Sequence, residues 1–156
     1  METTNTLAWT QVSEIELIYK SKMKASERPH VAKSSDAYTI FKHNWDENKI
    51  EFIEQFKVLF LNRSNKVLCI YELSTGGVSG TVADPKLVFA AALKANASNI
   101  ILCHNHPSGN IKPSKADEQL TQKIKEAGKY LDLPVIDHLI ITSEDGYYSF
   151  ADEGLL

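Results

Sequence analysis

Apolar and polar positions change period several times along the chain, and each change predicts an element. Val12, Ile15, Leu17 and Ile18, within Trp9–Lys20, suit a strand or a helix equally, because their spacing fits both periods. Basic and polar residues dominate from Lys20 to Lys33 and Pro29 stops any regular element, so residues 1–33 read as an N-terminal arm and linker. Ser34-Ser35-Asp36 supplies capping chemistry, and Ala37, Ile40, Phe41 and Trp45 follow at helical spacing, predicting a helix from about Asp36 to Trp45. Phe56–Leu61 and Val67–Leu73 are β-rich runs joined by Asn62-Arg63-Ser64-Asn65, a hairpin pattern. Gly76-Gly77 and Gly80 punctuate the exit from the second run. Asp84 before Pro85 then opens an Ala/Leu-rich helix reaching about Ala95.

Asn99–Cys103 is a short, wholly apolar run of the kind found in buried strands, and Asn105–Pro113 reads as a loop. Ser114 opens a helix with Leu120, Ile124 and Ala127 on one stripe, ending near Gly128–Leu131. Leu133–Thr142 is a further strand, Glu144-Asp145-Gly146 a turn, and Tyr147–Phe150 a last short strand. A hairpin followed by strands alternating with single helices predicts an α/β domain over residues 34–156, a mixed β-sheet flanked by helices.

Composition narrows the class. With 156 residues, 43% hydrophobic and 24% charged, the chain fits one globular domain and not a disordered, collagen-like or coiled-coil protein. Its longest apolar run, around Ile100–Cys103, is a strand's length, far short of the ~18 residues of a membrane span. Met1–Asn5 shows no basic patch leading into an apolar stretch, so no secretory signal is expected. Cys69 and Cys103 both lie inside apolar runs and read as small packed hydrophobes, which suits a reducing, cytoplasmic setting. Seventeen Lys+Arg against 20 Asp+Glu, a net charge of -3, argue against a generic nucleic-acid binder.

Histidine placement changes the picture more. The Asn99–Cys103 run ends directly in His104-Asn105-His106, and in extended backbone residues two apart point to the same side. Eleven residues on, Asp117 falls in the first turn of the next helix, where the dipole favours negative charge. Pro107, Ser108-Gly109 and Pro113 can bend the chain so that this helix start faces the strand end. His104, His106 and Asp117 would make a catalytic-type zinc (Zn2+) site with one position left open. Hydrolysis also needs a carboxylate to move protons, for which Glu54 and Glu72 are the candidates, and a donor to the oxyanion, for which Ser114 stands in place. Against this, Ser114 and Asp117 also fit a capping box, and Ser108 and Asn110 a turn. His138 reads as a buried, hydrogen-bonded histidine in preference to a ligand, and His30 and His43 as surface residues.

At these residues the chain resembles the RadC-like branch of the JAB/MPN metalloenzymes, whose JAMM signature is an upstream Glu, His-x-His, seven residues, Ser, two residues, Asp. His104, His106, Ser114 and Asp117 match that spacing without a gap. The stretch His104–Gly109, Pro113-Ser114, Asp137–Ile140, Tyr148–Phe150 and Gly154 resembles the RadC-like branch in particular, and the similarity covers about Ser34 to Leu156. It implies a JAB/MPN-like, cytidine-deaminase-like three-layer fold with His104, His106 and Asp117 on zinc and Ser114 as oxyanion donor. It also favours Glu54 over Glu72 as general base, because Glu54 precedes an aromatic-apolar strand. The resemblance further implies cleavage of peptide or isopeptide bonds, often at ubiquitin-like tails. The RadC-like branch also carries a DNA-repair label. Two features are expected to depart from the pattern: residues 1–33 read as a short arm where full-length members carry a helix-hairpin-helix DNA module, and Pro85-Lys86 stands in place of Pro-Arg.

Three readings follow. The first is a zinc hydrolase acting on an amide or isopeptide bond of a protein or peptide substrate. The second is a DNA-acting nuclease or repair accessory, which the net charge of -3 disfavours. The third is a non-catalytic MPN scaffold, which the complete ligand set disfavours. Substrate-facing walls would come from Ser74–Thr81 and Asn105–Pro113, and neither stretch encodes a readable specificity.

Overall fold

The computed structural model describes residues 8–76 and 83–156; Met1–Asn5, Gly77 and Gly80, and most of the Ser74–Thr81 wall, lie outside them. β1 (Gln55–Leu61) is buried along its whole length because it is central and both its faces are covered. Phe56, Val58 and Phe60 point to one side, Leu59 and Leu61 to the other, as the two-residue period of a strand requires. β2 (Val67–Thr75) pairs with it as the predicted antiparallel hairpin, and β3 (Asn99–Asn105) pairs antiparallel on its other edge. β4 (Val135–Ile141) runs parallel to β3, and β5 (Tyr147–Ser149) returns antiparallel to β4. The sheet order is β2-β1-β3-β4-β5, a mixed sheet as the element pattern predicts.

Helices cover both faces, giving three layers. α1 (Ser34–His43) packs Ala37 and Phe41 over Leu59, Leu61, Ile101, Cys103, Leu139 and Ile141. On the opposite face, α2 (Pro85–Lys94) brings Val88, Phe89 and Ala92, and α3 (Lys115–Tyr130) brings Ile124, onto Phe56, Val58, Phe60, Ile100 and Leu102. Asp84 caps α2 by accepting from the Lys86 N–H at 2.9 Å, with Pro85 at the first helical position as expected. None of the described helices is long and apolar enough to cross a membrane.

Boundaries shift where tertiary contacts decide them. α1 begins two residues earlier than the capping pattern suggests, because Asp36 sits inside its first turn and accepts from Ala32 N (2.9 Å) and Lys33 N (3.1 Å). Trp45 lies past its end, held by Lys57, whose ammonium lies 4.6 Å from the ring and donates to the Asn44 carbonyl at 2.9 Å. β3 runs on through His104 and Asn105 because β4 offers paired partners, Ile140 and Ile141, to that point. Within the segment read as a linker, Val67 N donates to Pro29 O (2.8 Å), Val31 N to Asn65 O (2.9 Å), and Val31 is buried. Further back, the Tyr19 hydroxyl donates to Leu68 O at 3.0 Å. Cys69 and Cys103 are both free thiols, half-buried and buried respectively, and burial raises the pKa of each above the ordinary thiol value.

Gly128 sets the approach of α3 to β4. A Cβ there would collide with the Leu133 carbonyl oxygen, while the Leu133 N–H donates to Gly128 O at 2.9 Å and pins that strand entry in place. In an unconstrained helix, Gly→Ala gains up to about 1 kcal/mol. Here Gly128→Ala is expected to lose about 1–3 kcal/mol through overpacking, lowering Tm by roughly 2–4 °C per kcal/mol in circular-dichroism melts. An unchanged or raised Tm would contradict this packing.

Candidate metal centre

His104 occupies the end of β3 on the α3 side of the sheet, opposite Phe56 of β1, whose ring lies parallel to it at 5.9 Å. The backbone continues extended by one more residue pair, His106 N donating to Ile141 O at 3.0 Å. The two imidazoles therefore fall on the same side, with Nε2 atoms 2.9 Å apart. α3 begins across the loop that follows β3, and Asp117 in its first turn turns its carboxylate to the pair. Oδ1 stands 3.3 Å from His104 Nε2 and Oδ2 3.4 Å from His106 Nε2. Sequence spacing brought these three residues forward, and the fold brings all three together. Among the described residues they form one group of metal-ligand type, with all ligand atoms within 4.8 Å.

The environment sets which atoms are available. The His106 Nδ1 lies 2.6 Å from the Asn110 carbonyl, which can only accept, so Nδ1 carries a proton and Nε2 is the atom that could hold a metal. Asn110 thus does more than form the turn. Burial alone would lower the His106 pKa, but the Asp117 carboxylate, the Asn110 carbonyl and the charge of Glu54 together raise it above the ordinary value. Burial alone would raise the Asp117 pKa; the adjoining His104 and His106 rings, with the Ser114 N–H, hold it far below the carboxylate range instead. His104 is 2% exposed at its side chain, against 16% for His106 and 15% for Asp117, so the group opens to solvent on one side only. Four ligands at 2.0–2.1 Å from a tetrahedral zinc stand about 3.3 Å apart. The observed separations of 2.9, 3.3 and 3.4 Å fit that frame, and two nitrogens plus one carboxylate leave a position open.

Ser114 forms the capping box of α3: its N–H donates to Asp117 Oδ2 at 2.7 Å and its Oγ accepts from Asp117 N at 3.1 Å. This engages the oxygen's lone pair and not its proton. Ser114 is exposed, so the hydroxyl proton that capping leaves unused faces solvent-accessible space.

Glu54 and Glu72 part company. Glu54 is half-buried directly before β1, and its charge is among those raising the His106 pKa. Buried Asn105 holds its segment: Oδ1 accepts from Gln55 N (2.7 Å) and Nδ2 donates to Ile53 O (2.9 Å) and Ile50 O (2.8 Å). Glu72 is exposed in β2 and bonded to Gln55 Nε2 (2.9 Å) and Thr75 Oγ1 (2.7 Å). It pairs opposite Lys57, whose side chain lies on the α1 face, away from His104. His30 and His43 are exposed. His138 is wholly buried beside His104, and burial, then the adjoining His104, drives its pKa well below the ordinary value.

Asn105 and Thr121 were not foreseen. Thr121 stands one helical turn after Asp117, and that i, i+4 spacing was a readable signal. Asn105 gave no comparable signal, because its partners are backbone groups about fifty residues away.

Residues 31–155 match the family model described as the RadC-like JAB domain. A UPF0758 protein of Flavobacterium johnsoniae is 52% identical over 125 residues, 80% of this chain and 53% of that protein. UPF0758 proteins of Porphyromonas gingivalis and Dechloromonas aromatica are 50% and 46% identical over 103 residues, 66% of this chain and 45% and 46% of theirs. The chain spans about half the length of these relatives. With the family's histidine and aspartate spacing folded into one cluster, the chain belongs to the RadC-like JAB domain family.

Proposed function

We infer that the chain is a metal-dependent hydrolase of the JAMM type, cleaving a peptide or isopeptide bond, with His104, His106 and Asp117 holding a zinc ion. One observation carries the reading: two imidazole Nε2 atoms and a carboxylate converge within 2.9–3.4 Å, a concentration of electron pairs that calls for a cation among them. Zinc bound there supplies a Lewis acid and brings the pKa of water to about 7. Glu54 takes a proton from the attacking water and returns it to the departing amine, so its own charge is restored at the end of the cycle. The Ser114 hydroxyl donates to the oxyanion while its oxygen continues to cap α3. Asn105 keeps the Glu54 segment against the end of β3.

Protein purified under zinc-replete conditions should contain about one zinc per chain by elemental analysis, lost in His104→Ala or Asp117→Ala. A metal-free wild type would sink the reading. Glu54→Gln should retain zinc yet lose about 10²–10⁴-fold in hydrolysis across a peptide panel, and full activity would remove Glu54 from the role. The pH dependence of binding has a definite sign. A proton on His106 Nε2 competes with the metal, and the His106 pKa is raised, so affinity is level above that pKa and falls as pH drops through it. Chelator-competition titrations between pH 8 and 5.5 should show a slope approaching about tenfold per unit for the single displaced proton, with none added by Asp117. Steep salt-dependent affinity for duplex DNA would point to the DNA-linked role instead.

A further inference from the structure

Behind the cluster lies a chain of hydrogen bonds whose directions can be worked out from one end. Thr121, wholly buried in α3, has a single hydroxyl proton and two close neighbours: the Asp117 carbonyl at 2.6 Å and His138 Nδ1 at 2.6 Å. The carbonyl can only accept, and two oxygens at that separation repel unless a proton lies between them, so the hydroxyl donates to Asp117 O. Thr121 Oγ1 must then accept from His138, whose proton is on Nδ1. The His138 ring is wholly buried, stacked on Phe150 at 4.8 Å and tilted against Phe56 at 5.5 Å. An imidazole in that setting stays neutral, which leaves a lone pair on Nε2. That lone pair faces His104 Nδ1 at 2.8 Å, so His104 carries its proton on Nδ1 and presents a bare Nε2 to His106 and Asp117.

We propose that His138 and Thr121 are positioning residues that fix the tautomer and ring orientation of His104, keeping its Nε2 lone pair turned to the metal position. The inference rests on the zinc reading of the cluster. Without the relay, the Asp117 carboxylate, 3.3 Å from His104 Nε2, would draw the proton to that nitrogen, and the N–H would occupy the place of the metal. The relay opposes this pull by giving Nδ1–H a buried acceptor. It also starts from the backbone of Asp117, so the helix turn that supplies the carboxylate is tied to the ring that the carboxylate faces. His138 is not itself a ligand, since its Nε2 is engaged by His104 and its Nδ1 by Thr121.

The test measures zinc affinity by chelator competition on folded variants, together with long-range ¹H–¹⁵N correlation of the histidine rings in wild type. His138→Leu, which keeps the bulk and removes both bonds, should weaken zinc binding about 10–100-fold. His138→Gln can accept from His104 with its carbonyl and donate to Thr121 with its amide, and should restore most of that affinity. Thr121→Val should weaken binding while Thr121→Ser should not. In wild type, with or without zinc, His138 should be protonated at Nδ1 and bare at Nε2. Folded His138→Leu with wild-type zinc affinity, or a proton on His138 Nε2, would overturn the proposal. Should His138→Leu fail to fold, the tautomer in wild type still decides it. Wild type that binds no zinc but shows the expected His138 tautomer would retire the zinc reading and leave the hydrogen-bond relay standing.

Discussion

Two imidazole nitrogens and a carboxylate facing one another at 2.9–3.4 Å repel unless positive charge lies among them. Much of the architecture serves to hold that unfavourable arrangement. β3 lies between β1 and β4, so both flanks of the strand that delivers His104 are hydrogen-bonded. α3 returns between two parallel strands, which brings its amino end to the same end of the sheet where β3 delivers its histidines. The capping box then orients the Asp117 carboxylate through the Ser114 N–H. The upward shift at His106 follows from the same geometry: burial works against it, and the Asp117 carboxylate, the Asn110 carbonyl and the charge of Glu54 outweigh burial.

The buried polar residues near the cluster each resolve a positioning problem. Asn105 satisfies three backbone groups ahead of and within β1 and fixes the approach of Glu54. Asp137 accepts from His138 N (2.7 Å), Ala151 N (3.1 Å) and the Ser149 hydroxyl (2.8 and 2.9 Å), tying β4 to the chain that follows it. Desolvation raises the Asp137 pKa, and those donors only partly offset it. Removing one partner from such a group leaves the others unsatisfied in a low-dielectric interior, a larger penalty than losing a surface bond. The two apolar cores on either face supply the stability against which these arrangements are held.

Elements with a clear period were legible. The β1–β2 hairpin, α2 with its Asp84-Pro85 start, β3 and α3 all stand close to where pattern placed them. Ends were less so, since α1 and β3 stop where partners stop: Trp45 packs beyond the helix, and β3 extends to Asn105 because β4 continues alongside. The segment around Pro29–Val31 looked like a linker because its stabilising bonds run to Asn65 and Val67, outside any local window. Glu54 and Glu72 could not be separated by spacing, because which face of the sheet a carboxylate meets depends on strand pairing and on a bulge in the β1–β2 register.

The amino-acid sequence by itself determined the candidate ligands and their family, because the two-residue period of a strand and the first turn of a helix are local rules. His104, His106 and Asp117 needed only those rules and a bend between them. The tertiary structure alone decided which nitrogen of each ring is available, that His138 and Thr121 stand behind His104, and that Glu72 lies on the far face. Tautomers and facing partners are set by hydrogen bonds between groups far apart in the chain, and no local pattern encodes which distant carbonyl or ring will close them.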